Sequence, residues 1–249
     1  MMKRLLLLAA LLVAPLAAAA AQDLHVYAGA GLREAVDALA ARFETQTGAK
    51  VVVEYGGSGQ LLARISETGK GDVFIPGSMM YIDKLDKAGA VSASRGLAVH
   101  GAVLAVNRAA AAKITSLDDL AKPGVRLGLG DAQAMALGRT AEEILSHLAL
   151  KDAILANVVT RAATVKQLTL YVANGDVDAA IIGGPDAAGN ADKVVSIAIP
   201  SDLYQPEIAG FALLKSAVDP ALAAQFGDLL LSEAGRQAFA KAGFPPLAP

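Results

Sequence analysis

The chain has 249 residues, no cysteine and a formal charge of −2 at neutral pH. Without cysteine there is no disulfide framework, thiolate metal site or thiol nucleophile, so an apolar core must hold the fold. A mildly acidic chain with 4% aromatic residues and no basic run is also a poor nucleic-acid binder.

The first residues read as an export leader. Lys3-Arg4 form a positive n-region, residues 5–12 a short apolar h-region broken by Pro15, and Ala19-Ala20-Ala21 an A-x-A-like cleavage site. The expectation is a signal peptide over residues 1–21, cleaved after about Ala21. Loss of Lys3 and Arg4 takes the charge from −2 to −4. With no cysteine to lipidate and no second apolar stretch of spanning length, the mature chain is expected free in the periplasm.

From residue 24 onward, short apolar runs alternate with glycine-rich breaks and helical periods. Residues 24–27 predict a strand, followed by the loop Gly29-Ala30-Gly31. Leu32, Ala35, Val36, Leu39, Ala40 and Phe43 then share one helical face, and Gly48 stops that helix. Residues 51–55 predict the next strand, Gly56-Gly57-Ser58-Gly59 the next loop, and Leu61, Leu62 and Ile65 the helix after it. A third strand, 72–75, ends at Pro76-Gly77.

Further along, strands are predicted at 103–106 and 125–129, with a short helix at 116–120 capped by Ser116. A loop over 130–138 leads into a helix from about Arg139. A helix at 165–172, strands at 179–182 and 209–214, and a single helix over 220–242 complete the pattern. Alternating strands and helices predict an α/β fold with parallel sheets covered on both faces. Two units of this kind imply two lobes with a cleft between them, outside the carboxyl ends of the strands.

The chemistry lies in where the glycine loops fall. Residues 29–31, 56–59 and 130–138 each join a strand end to a helix start. The first N–H groups of a helix have no internal partner, and its dipole favours negative charge there. Several such ends meeting at one cleft would hold an anion without a buried cation.

These segments, with Gly71-Asp72-Val73-Phe74-Ile75 and the ending Gly235-Arg236-Gln237-Ala238-Phe239 and Gly243-Phe244, stand in a characteristic order and spacing. They resemble the molybdate-binding proteins of ABC transporters, within the type II periplasmic binding fold, over essentially the whole chain after the leader. The resemblance implies two lobes joined by crossover strands. The first takes residues 24–98 and 208–249 and the second 99–207, with crossings near 98–102 and 205–210. It implies a monomeric receptor for a small oxyanion, molybdate or tungstate, which hands its ligand to a membrane permease. It implies neither a cofactor nor an enzyme, and no residue ligating a metal cation directly.

Carried over position by position, the resemblance places Gly31, Ser58, Leu137, Val165 and Gly183 at the ligand. Gly31 stands where that family usually presents a serine, and Gly183 where it has a tyrosine. Those two glycines would leave space for a larger ligand, with Tyr27, Gln60 and Ser78 as replacement donors. A different ligand in the same receptor class (a sulfate-like anion, a metal complex or a small organic anion) therefore stays open, as does a sensory module serving a membrane kinase.

Other constellations carry less. Gly56-Gly57-Ser58-Gly59-Gln60 approximates a nucleophile elbow but lacks the final glycine. Of the three histidines, His25 is expected in a buried strand and His147 on a helix. His100 is left without a role. Met79-Met80 are expected to line the core or cleft, and Arg126, Arg139 and Lys166 to stand at the cleft edge.

Overall fold

The computed structural model describes residues 23–247. The expected leader and its cleavage site lie outside them. Among the described residues no helix is long and apolar enough to cross a membrane.

The chain first lays down β1 (Leu24–Gly29), α1 (Arg33–Thr47), β2 (Val51–Gly56), α2 (Ser58–Thr68), β3 (Val73–Ile75), α3 (Met79–Lys87) and β4 (Val91–His100). It then crosses through Gly101 and builds β5 (Ala102–Asn107), β6 (Leu127–Gly130), α4 (Ala136–Ser146), α5 (Lys151–Ala156) and β7 (Val158–Ala162). After these come α6 (Val165–Asn174), β8 (Ala179–Gly183), α7 (Gly184–Ala188) and β9 (Val194–Ala198). A return gives β10 (Glu207–Leu214), α8 (Pro220–Leu231) and α9 (Glu233–Lys241).

Two five-stranded sheets result, ordered β2-β1-β3-β10-β4 and β7-β6-β8-β5-β9. Each is mixed rather than purely parallel. β1 runs parallel to β2 and β3, and β6 parallel to β7 and β8, as the strand–helix alternation predicts. The strands flanking the crossings run the other way: β10 is antiparallel to β3 and β4, and β5 to β8 and β9. A chain that leaves one sheet and returns must reverse direction, which local periodicity does not report. His100 at the end of β4 pairs with Glu207 at the start of β10, so the two crossings run side by side. Tyr204 pins them together, its hydroxyl accepting from Ala102 N at 3.0 Å and donating to Ala102 O at 3.2 Å.

Each sheet buries its own core. The first packs Val36, Leu39, Phe43, Phe226 and Phe239 against one face and Leu61, Ile65, Tyr81 and Ile82 against the other. Phe43 meets Phe226 edge-on at 5.1 Å. The second gathers Leu104, Leu127, Ile144, Leu168 and Ile181. With each such side chain contributing about 1.5–3 kcal/mol on burial, either lobe has a core of its own.

Several local expectations shift. Gly48 does end α1, in the left-handed conformation at φ 75° that glycine adopts without strain. The segment near 116–120 is a single 3₁₀ turn, Asp118–Ala121, and Ser116 does not cap it. The Asp119 carboxylate does the tying, accepting from Thr115 N and Oγ1 at 2.8 Å each. α4 starts three residues before Arg139 because Asp131 folds the preceding loop tightly, its Oδ1 accepting from Gln133 N and Ala134 N. The helix expected over 220–242 is broken at Ser232, whose Oγ accepts from Gly235 N and caps α9. β4 escaped prediction because its outward positions, Ser92 to Gly96, are polar or small and mask the alternation.

Candidate ligand site between the lobes

The carboxyl ends of β1, β2 and β3 in the first lobe face the starts of α4 and α6 in the second across a hollow of about 20 Å³. Its lining includes Gly31, Gly57, Ser58, Met135, Leu137 and Val165. Ser58 is the first residue of α2, Leu137 the second of α4 and Val165 the first of α6. Their N–H groups fall in the first turns, where helix geometry supplies no partner and the dipole is positive. Gly31 lies in the single turn Ala30–Leu32 that feeds α1. Thr164 sharpens the start of α6, its Oγ1 accepting from Gln167 N at 3.2 Å.

Ser58 is 4% exposed. Its Oγ accepts from Gly77 N at 3.1 Å, which leaves the hydroxyl proton free to point at a bound group. Four of the five sequence-placed positions, Gly31, Ser58, Leu137 and Val165, therefore share one hollow. Gly183 is outside the lining, and a Cβ there would lie 3.5 Å from Leu137 Cδ1, which is in it.

The glycines do not leave the space expected of them. A Cβ on Gly31 would lie 2.8 Å from Val165 Cγ1, and one on Gly183 would lie 2.9 Å from Asp186 Oδ2 and 3.3 Å from His100 Nε2. Neighbouring side chains already fill both places. Gly57 and Gly59 serve another purpose. Cβ atoms there would overlap the carbonyl oxygens of Ala134 and Ala163, and of Gln133, on the opposite lobe. Gly59 N in fact donates to Ala134 O at 2.8 Å, a main-chain bond across the cleft. These glycines let the lobes meet, whereas the sequence suggested close approach of a ligand.

None of the three replacement donors reaches the hollow. Tyr27 packs in the cluster beneath α2 and α3, with its ring against Gly71. Gln60 turns back to its own helix start, where its Oε1 accepts from Gly57 N at 3.2 Å. Ser78 caps α3, its Oγ accepting from Met80 N. The nucleophile-elbow reading of Ser58 finds no imidazole bonded to the hydroxyl, whose recorded partner is Gly77 N.

The three basic residues are each held by a carboxylate. Arg126 binds Asp178 at 2.7 Å, Arg139 binds Glu207 at 2.6 Å and Lys166 binds Asp186 at 2.8 Å. Arg139 also lies over the Tyr81 ring at 5.5 Å. Burial pushes the Tyr81 phenol up, and Arg139 opposes that in part. Met79 and Met80 pack beside the cluster under α3, as core. His25 sits on β1 with its side chain exposed, contrary to expectation, because Leu24, Val26 and Ala28 are the residues of that strand that face the core. His147, at the end of α4, meets Leu203 O through Nδ1 at 2.9 Å.

The sequence reading missed two buried groups beside the hollow. His100 is 4% and Asp186 3% exposed. His100 Nδ1 lies 3.0 Å from Gly77 O, an acceptor, so in the neutral ring the proton sits on Nδ1 and Nε2 presents a lone pair. Lys166 occupies Asp186 Oδ1. Asp186 Oδ2 and His100 Nε2 have no protein partner among the described residues. Only an acid one turn into α7 after Gly183-Gly184-Pro185, and a histidine directly before the crossing glycine, hinted at them. Among the described residues no three metal-ligating side chains gather.

A two-lobed α/β molecule with helix starts facing each other across a hinged cleft has the build of a ligand receptor. The family model for bacterial extracellular solute-binding proteins matches residues 24–245, and the chain belongs to that family. A Haemophilus influenzae protein described as a "Putative binding protein" is 39% identical over 245 residues, covering 98% of this chain and 99% of its own. The Mycobacterium tuberculosis molybdate-binding protein ModA is 26% identical over 229 residues, 90% of this chain and 85% of that one. Among solved structures, the periplasmic molybdate-binding protein of Azotobacter vinelandii superposes with a TM-score of 0.79 at 25% identity, covering 91% of this chain and 99% of that one. The fold is the two-lobed periplasmic binding protein fold, and the chain is a binding protein rather than an enzyme.

Proposed function

We propose that this chain is the periplasmic receptor of an ABC importer and captures a small oxyanion in the interlobe hollow for delivery to a membrane permease. The observation that carries the reading is the meeting of helix starts from both lobes, at Gly31, Ser58, Leu137 and Val165, around one small space. Neutral N–H donors replace the anion's water without burying a counter-cation, which would be costly to desolvate. Molybdate and tungstate are the first ligands to test, because relatives with this scaffold are named for molybdate. Export with cleavage after about Ala21 and a monomeric state belong to the same proposal.

A second member of the class is favoured by one observation: at Gly31 and Gly183 this chain offers no side-chain donor, and an acidic side chain stands there. A phosphate-like ion or a small organic anion fits that side as a ligand of the same receptor class. The test is a thermal-shift screen of the purified mature chain with molybdate, tungstate, sulfate, phosphate and arsenate at millimolar concentration. At least one should raise the melting temperature by several degrees. If none does, the oxyanion reading fails.

A further inference from the structure

The helix starts around the hollow present donors, whereas the groups buried behind its lining beside Gly31 do not. On the Gly183 side, Asp186 Oδ2 and His100 Nε2 are both buried and both unpartnered among the described residues. The carboxylate oxygen is an acceptor by nature, and Nε2 is one in the neutral imidazole, whose proton Gly77 O holds on Nδ1. They flank the same place, 2.9 and 3.3 Å from where a Gly183 Cβ would be, and Asp186 Oδ2 is 3.6 Å from where a Gly31 Cβ would be. The two positions at which the molybdate-binding resemblance implies donor side chains thus face acceptors here.

We infer that Asp186 and His100 make the site select an anion carrying its own O–H donor over a bare tetrahedral dianion. The inference rests on the oxyanion reading above and sharpens it. A bare dianion offers only lone pairs, so its oxygens can be satisfied by Ser58 and the helix starts but would meet acceptors where it reaches past Gly31 toward Gly183. An unpaired buried acceptor is costly, and repulsion from the carboxylate is strong where water is excluded. A protonated oxyanion, or a hydroxylated organic anion, turns its O–H toward Asp186 and leaves its charged oxygens to the N–H groups. Lys166 keeps the wall open to anions at all, since it offsets the carboxylate's charge from Oδ1. It does so on the other oxygen and leaves Oδ2 unmet.

The experiment is calorimetric titration of the mature full chain with molybdate, sulfate, phosphate, arsenate and glycolate near neutral pH. Phosphate and arsenate carry an O–H there, glycolate carries one on an organic anion, and molybdate and sulfate carry none. Wild type, Asp186→Asn and His100→Gln are compared. In wild type the best O–H-bearing anion should bind about tenfold or more tighter than the best bare one. Asp186→Asn, which puts an amide N–H where an acceptor stood, should shrink that ratio about tenfold, partly by tightening molybdate or sulfate. His100→Gln should shrink it less, and carries the test if Asp186→Asn does not fold. Whether phosphate and arsenate or glycolate binds best separates an inorganic from an organic source of the O–H. A wild type that prefers molybdate or sulfate, or a preference unchanged in both variants, overturns the inference while the oxyanion reading stands. If no anion binds wild type, both fall.

Discussion

The two walls of the hollow are built from different material. The first lobe contributes mostly bare main chain, Gly29 to Gly31, Gly57 and Gly77, with Ser58 as its one hydroxyl. The second lobe and the crossing contribute side chains: Met135, Leu137 and Val165 in the lining, with Asp186 and His100 behind them. The glycine wall is shaped by contact with the other lobe, since Cβ atoms at Gly57 and Gly59 would strike its carbonyls. The side-chain wall sets the chemical character of the space. Closure and selectivity are thus assigned to opposite sides, and they should fail separately under mutation.

The largest effect is expected on the closing side. Gly59→Val places a side chain against Gln133 O, and a main-chain obstacle cannot rotate away. It should cost about 3 kcal/mol of binding, the upper end for overpacking, or roughly 100-fold in Kd. The ligand-free melting temperature should stay near wild type, because the clash exists only when the lobes meet. A variant that binds normally would show that this contact does not accompany ligand capture.

Ser58→Ala sharpens the comparison from within the glycine wall. It removes the hydroxyl donor and leaves Gly77 N–H without its acceptor. Titration should show a loss of about 1–2 kcal/mol, together with a modest fall in melting temperature. Unchanged affinity would take Ser58 out of the site and leave that wall with main-chain donors alone.

The smallest effect is expected far from the hollow. Burial would raise the Asp178 carboxyl, but the Arg126 guanidinium and backbone N–H outweigh it and hold it below its ordinary value. A depressed carboxyl stabilises the fold above its unfolded pKa, and that contribution is lost as pH falls through the folded value. Arg126→Gln should therefore lower the melting temperature slightly at pH 7, and the difference from wild type should shrink as the pH falls below the ordinary carboxylate value of about 3.9. Ligand affinity should not change. A loss of affinity would mean that this pair, at the opposite ends of β6 and β8, is coupled to the cleft.

Much of this organisation was legible along the chain. The helical face from Leu32 to Phe43 with its Gly48 stop, and the strand ends at Gly29, Gly56 and Gly130, are local signals because periodicity and chain reversal act over a few residues. The five candidate ligand positions came from the resemblance to molybdate-binding proteins, and four of them line the one hollow. What went unread was every feature that depends on distant partners. Tyr27, Gln60 and Ser78 have suitable chemistry and lie near the right loops. Their direction was decided by packing against Gly71, by the Gly57 N–H and by the start of α3.

By itself, the sequence determined an α/β chain of two units with glycine-lined helix starts, because those properties arise from neighbouring residues. Only the tertiary structure decided that His100, at the end of one sheet, and Asp186, after a strand of the other, turn their acceptors to the same place beside Gly31 and Gly183. Burial and loss of water give those two atoms their weight, and neither condition exists until the lobes have folded and met.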